Sequence, residues 1–106
     1  MMSTTQIAGR EIHVDDEGFM TDPQEWTEDL APALAKHVGI DELTPDHWLV
    51  IRYLRNDFAT EGETATLRRI SSNAGVTTKR LFELFPQKPG KKMAYVAGLP
   101  KPKGCI

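Results

Sequence analysis

Prolines and glycines bracket each apolar run of this chain, which restricts it to short helices joined by tight turns. Asp22-Pro-Gln-Glu25 supplies an N-cap, a first-turn proline and an acid placed to close a capping box. Behind it Trp26, Leu30, Ala33, Leu34 and Val38 follow one helical face, and Gly39 provides a left-handed stop. Pro32 cannot donate its helix bond, so a kink or two shorter helices is expected there. Thr44-Pro45 repeats the start signal. Trp48, Ile51, Leu54, Arg55 and Phe58 then recur at threes and fours, which makes this the central helix, ending in a loop over the polar segment 56–63. Both tryptophans are assigned to the core.

Upstream, Ile12 and Val14 alternate with Glu11, His13 and Asp15, and Gly18 precedes Phe19 and Met20. The alternation predicts a β-hairpin across 7–20, closed at Gly18 and laid against a helix because two strands alone are marginal. His13 falls on the solvent side, while His37 and His47 stand near a helix end and a helix start, as capping or surface groups. Downstream, Leu67, Ile70 and Ala74 make one short apolar-periodic segment, and Leu81, Phe82, Leu84 and Phe85 make another. Gly75-Val76 hinges them and Thr77 or Thr78 can cap the second, the sequence form of a helix-turn-helix. Pro89 starts one more helix, Gly98 stops it, and Met93, Val96 and Ala97 form a stripe able to rest on the body.

These readings give a mainly α (α+β) fold: an N-terminal β-hairpin on a small helical bundle, with residues 1–97 as the body and 98–106 as a flexible C-terminal arm. A length of 106 residues, 40% hydrophobic and 26% charged, suits one domain with a single core. The net charge of −2 provides no general basic field, so nucleic acid would need a local patch. One cysteine excludes an internal disulfide, and no Cys or His pair stands at zinc-ligand spacing, so no cofactor and no metal are expected. Without a hydrophobic leader or a membrane-length apolar run, the expected location is the cytoplasm, with no membrane partner and a reduced thiol.

The candidate chemistry lies in Ala97-Gly-Leu-Pro-Lys-Pro-Lys-Gly-Cys-Ile106. Cys105 is a nucleophile only as thiolate; Lys101 and Lys103 favour that form and the nearby terminal carboxylate opposes it. A modestly reactive thiol, activated in a partner's basic pocket, is the expectation. Pro100 and Pro102 bias the arm toward an extended polyproline II path from Gly98 onward. Arg68, Lys79, Arg80, Lys91 and Lys92 form a basic cluster that reads either as a solvated face or, together with Lys101 and Lys103, as a docking surface for an acidic partner.

The motifs Asp16-Glu-Gly-Phe19, His47-Trp48, Leu54-Arg55, Leu84-Phe85-Pro86 and Ala97-Gly-Leu-Pro-Lys-Pro102 with Gly104-Cys105 are similar to those of the DsrC and TusE proteins, the former also called the gamma subunit of dissimilatory sulfite reductase. The resemblance implies a hairpin on a helical bundle with a helix-turn-helix and a mobile arm. It implies that Cys105 bears sulfur as a persulfide, passed between sulfurtransferases or presented to sulfite reductase, and that Arg68 matches a basic residue of the helix-turn-helix. Ala94 stands where two-cysteine DsrC proteins have their second arm cysteine, the segment between Arg68 and Leu81 is shorter than the family pattern, and Lys103 replaces a common threonine. A TusE-like sulfur relay fits these departures better than sulfite reduction. The alternative from another class is a DNA-binding or redox-responsive regulator presenting Thr78, Lys79 and Arg80 to a groove, which the net acidity disfavours.

Overall fold

The computed structural model describes residues 3–102. Strands β1 (Ser3–Ile7) and β2 (Arg10–Val14) pair antiparallel with Ser3 opposite Val14 and Ile7 opposite Arg10. A single 3-10 turn (Pro23–Glu25) follows, and then five helices: α1 (Leu30–His37), α2 (Pro45–Glu61), α3 (Leu67–Ala74), α4 (Thr78–Leu84) and α5 (Pro89–Val96). The expected mainly helical architecture with an N-terminal hairpin is therefore what the chain adopts.

The two-strand ladder closes at Ala8-Gly9, where both residues have positive φ, rather than at Gly18. Gly18 also has positive φ, at 88°. It closes a second, smaller turn, in which the Asp15 side chain accepts from the N–H groups of Glu17 and Phe19 while Val14 bridges to Met20. The hairpin read across 7–20 is thus the return half of a three-pass ribbon. β1 escapes a pattern reading because four of its five residues are exposed and only Ile7 is buried.

Asp22 caps the turn at 23–25 through the N–H of Gln24, with Pro23 in the first position. Glu25 does not close a capping box. The helix stops at Trp26, whose extended backbone turns the chain away. The Glu25 carboxylate instead accepts from the His13 backbone N–H at 2.9 Å and meets His13 Nδ1 at 2.6 Å. The split near Pro32 resolves as this turn plus α1, with Pro32 in the first turn of α1, where its missing N–H breaks no bond. Gly39 at φ 85° ends α1 with paired bonds from Gly39 N–H to Lys36 and from Ile40 N–H to Ala35.

Helix α2 begins as expected at Thr44-Pro45, with His47 completing the capping box. It runs on to Glu61, through the segment expected to be a loop, and stops at Gly62 with φ 77°. Phe58 packs on the core and Asp57 receives Arg69 at 2.6 Å, so the polar stretch is the solvent-facing side of a helix anchored on two sides. Thr66 caps α3 and Thr77 caps α4, and Gly75 at φ 73° separates the two helices.

The buried side chains form two clusters. The larger gathers Val50, Ile51 and Leu54 of α2 with Ile70, Leu81, Leu84, Phe85, Met93 and Val96; the smaller holds Ile7, Ile12, Val14 and Met20 of the ribbon against Leu30 and Leu34 of α1. Trp26 packs against both, half-buried, and Trp48 packs half-buried against the first. Phe82 turns outward and stays 46% exposed, unlike Leu81 and Leu84 on the same helix.

Candidate functional site at the base of the C-terminal segment

The segment that leads to Cys105 begins at the end of α5, and its attachment is elaborate. Gly98 N–H bonds to the Tyr95 carbonyl and Leu99 N–H to the Ala94 carbonyl, the paired closure that a left-handed residue after a helix permits, with Gly98 at φ 71°. Trp26 lies against this turn, and a Cβ at position 98 would stand 2.2 Å from its ring. The indole N–H donates to the Val96 carbonyl at 3.0 Å. Arg55, reaching from α2, stacks on the Trp26 ring with its guanidinium carbon 4.2 Å from the ring centre. It donates through Nη1 to the Ala97 carbonyl at 2.7 Å and through Nη2 to the Pro23 carbonyl at 2.9 Å. Burial pushes the Arg55 guanidinium down from its ordinary value, yet the guanidinium keeps its charge because that value is so high.

Beyond this clamp the chain stays on the body through the last described residue. Leu99 is 1% exposed and joins the main core cluster. Thr64 donates its hydroxyl to the Pro100 carbonyl at 2.8 Å, Lys101 meets Glu17 at 2.7 Å, and Pro102 is buried. The bond to Lys101 holds the Glu17 carboxyl below its ordinary value. Residues 98–102, expected to run extended from the body, are therefore pinned to it. Cys105 and Lys103 lie outside the described residues. Ala94 is fully buried within α5.

The basic residues expected to form one docking surface fall into two groups. Arg68 is exposed on α3 and Lys79 on α4. Arg80, also on α4, is paired with Asp46 at 2.8 Å and Glu83 at 3.2 Å. Lys91 and Lys92, in the first turn of α5, share a cavity with Glu17, and Lys101 is bonded to that same carboxylate. In the sequence Arg55 reads as part of a helical face and Trp26 as core, and nothing there links either to the arm: Gly39 and Gly75 are helix stops of the same kind with nothing within 4 Å of an added Cβ.

His47 has the structural role expected of it. It is 7% exposed, its Nδ1 accepts from the Thr44 N–H at 3.0 Å, and its Nε2 donates to the Leu84 carbonyl at 2.7 Å, which fixes the tautomer and ties α2 to α4. No group of three or more His, Cys, Asp or Glu residues that could hold a metal occurs among the described residues. None of the described helices is long and apolar enough to cross a membrane.

Residues 6–106 match the family of DsrC-like proteins. The chain belongs to that family. This DsrC-like protein is 33% identical over 105 residues to the gamma subunit of the dissimilatory-type sulfite reductase of Nitratidesulfovibrio vulgaris, a match covering 99% of this chain and 100% of the relative. It is 38% identical over 106 residues to the sulfurtransferase TusE of Escherichia coli K12, covering 92% and 95%. Among solved structures it is similar to a chain of dissimilatory sulfite reductase I, with a TM-score of 0.86 at 33% identity, covering 98% of this chain and 100% of the other. It is likewise similar to DsrC of Allochromatium vinosum, with a TM-score of 0.80 at 31% identity over 100% of both chains.

Proposed function

We propose that this DsrC-like protein is a single-cysteine sulfur carrier of the TusE type, bearing sulfur as a persulfide on Cys105 and passing it to a partner. One observation carries the reading. A chain similar over nearly its whole length to a sulfurtransferase TusE and to a sulfite reductase gamma subunit holds a single cysteine, at position 105, and alanine at position 94.

Loading is an exchange at sulfur. The Cys105 thiolate attacks the outer sulfur of a donor's persulfide, a new S–S bond forms, the donor's S–S bond breaks, and the donor leaves as a thiolate. Delivery reverses the roles: an acceptor thiolate takes the outer sulfur and Cys105 leaves as the thiolate. Because the chain has one cysteine, neither step has a resolving thiol within it, and sulfur leaves through another molecule. The partners that suit this chemistry are sulfurtransferases as donor and acceptor, with sulfite-reductase-type proteins second, in the reducing cytoplasm. The clamp of Trp26 and Arg55 on residues 96–98 supports the reading, since it fixes the point from which the thiol-bearing end departs. The competing reading, groove binding by the helix-turn-helix of α3 and α4, draws less support: Arg80 is already committed to two carboxylates.

Incubating the protein with a persulfide donor and weighing it intact tests the proposal. The expected result is an adduct of about 32 Da, one sulfur, that dithiothreitol removes and that Cys105→Ser abolishes. An adduct that survives Cys105→Ser, or none at all with a competent donor, overturns it.

A further inference from the structure

We infer that the cavity between the end of α1 and the start of α5 is a docking site for an acidic side chain of a partner protein, set beside the segment that leads to Cys105. The cavity measures about 290 Å³ and is lined by Glu17, Phe19, His37, Val38, Lys91, Lys92 and Tyr95. The inference deepens the carrier reading by giving the chemistry of the partner's contact surface, and it rests on that reading only for the partner's role.

The lining has two parts. One is apolar: Phe19 meets Tyr95 edge-on, with ring centres 5.9 Å apart, and Val38 completes the wall. The other is cationic. Lys91 and Lys92 stand at the N-terminal turn of α5, where the helix dipole adds to their positive potential. Among the described residues the one carboxylate lining the cavity, Glu17, is bonded to Lys101, so two lysines face a carboxylate that a third already holds. His37 Nδ1 lies 3.1 Å from the Tyr95 hydroxyl. The negative C-terminal end of α1 is offset by Lys36 in its last turn.

This combination selects the occupant. A glutamate side chain lays its methylenes against Phe19, Val38 and Tyr95 and its carboxylate between Lys91 and Lys92. A bare inorganic anion uses only the second half of the lining. Placement gives the site its use: Lys101, at the cavity's edge through Glu17, precedes Cys105 by four residues, a covalent span of at most about 14 Å. Chain connectivity alone therefore keeps a partner seated here within reach of the segment that carries Cys105.

The test is a titration of the ¹⁵N-labelled full chain carrying Cys105→Ser with a capped hexaglutamate peptide, followed by NMR. Use of Cys105→Ser separates this site from the sulfur chemistry, since binding here stands or falls whether or not Cys105 carries sulfur. Saturable shifts are expected at the amides of Phe19, His37, Lys91, Lys92 and Tyr95. Lys91→Glu with Lys92→Glu is expected to weaken binding by about tenfold or more, and Arg80→Gln to leave it within about twofold. Both lysines are partly exposed; should the double variant fail to fold by circular dichroism, Lys91→Gln is the substitute, expected to weaken binding by about threefold. Shifts centred on α3 and α4, no saturable binding, or affinity indifferent to these lysine substitutions overturns the inference. Tighter binding of a DNA duplex than of the peptide at this cavity, at matched salt, overturns it in favour of nucleic acid.

Discussion

Gly98→Ala is expected to destabilise the protein through one methyl group. Two costs apply. A left-handed backbone at φ 71° costs a non-glycine residue about 1–2 kcal/mol, less about 0.4–1 kcal/mol returned because alanine restricts the unfolded chain. The second cost is steric: the new Cβ meets Cδ1, Cγ and Cβ of Trp26 at 2.2, 2.5 and 2.7 Å, so the indole has to move. Its movement breaks the bond to Val96, worth about 1 kcal/mol, and the stack on Arg55, worth about 0.5–1 kcal/mol. Gly39→Ala is the control, because Gly39 has φ 85° and nothing within 4 Å of its added Cβ. It shares the backbone cost and lacks the clash. Urea unfolding of both variants, followed by tryptophan fluorescence, isolates the steric part as a difference of about 2 kcal/mol. At a slope of about 1–3 kcal/mol per molar, the Gly98→Ala midpoint then lies about 0.7–2 M below that of Gly39→Ala. Equal midpoints for the two variants would refute the claim that Trp26 is pressed onto the turn.

Two further outcomes follow from the same structure. His47→Leu keeps most of the side-chain volume but strands the Leu84 carbonyl and the Thr44 N–H, and is expected to cost about 2 kcal/mol in urea unfolding, with a loss below about 0.5 kcal/mol counting against the buried role. For pH, the bond to Glu25 raises His13 above 6.5, so its stabilisation is complete below 6.5 and fades as pH rises through the folded value. The bonds from His13 lower Glu25 below 4.5, so that contribution is complete above 4.5 and fades as pH falls through the folded value. Thermal midpoints of wild type minus His13→Gln are therefore expected to be largest between about pH 4.5 and 6.5, and a difference that does not vary with pH would refute the pairing.

Local chemistry made much of the fold legible. Thr44-Pro45 and Asp22-Pro23 start their elements, and Gly39, Gly75 and Gly98 adopt the left-handed stops that their positions required. The misreadings occur where a distant partner decides. Glu25 is placed to reach back one turn, but the turn ends at Trp26 and the His13 N–H takes its carboxylate. The stretch after Arg55 is polar enough to read as loop, but Arg69 from α3 and the core contact of Phe58 keep it helical to Glu61. For the candidate site, Cys105 and the basic residues were visible as residue types. The arm's attachment was not, because a segment rich in proline and glycine carries no periodicity, and its partners Glu17, Arg55 and Thr64 lie 84, 42 and 36 residues away in sequence.

The burial of Leu99 and Pro102 makes the arm's first residues part of the molecule's own interior. Completing the core and positioning the stem of the thiol are then a single event in folding. A chain that has not yet seated Leu99 has no fixed stem from which to offer Cys105, so on the proposed function the thiol is presented from a defined point only once the body has folded.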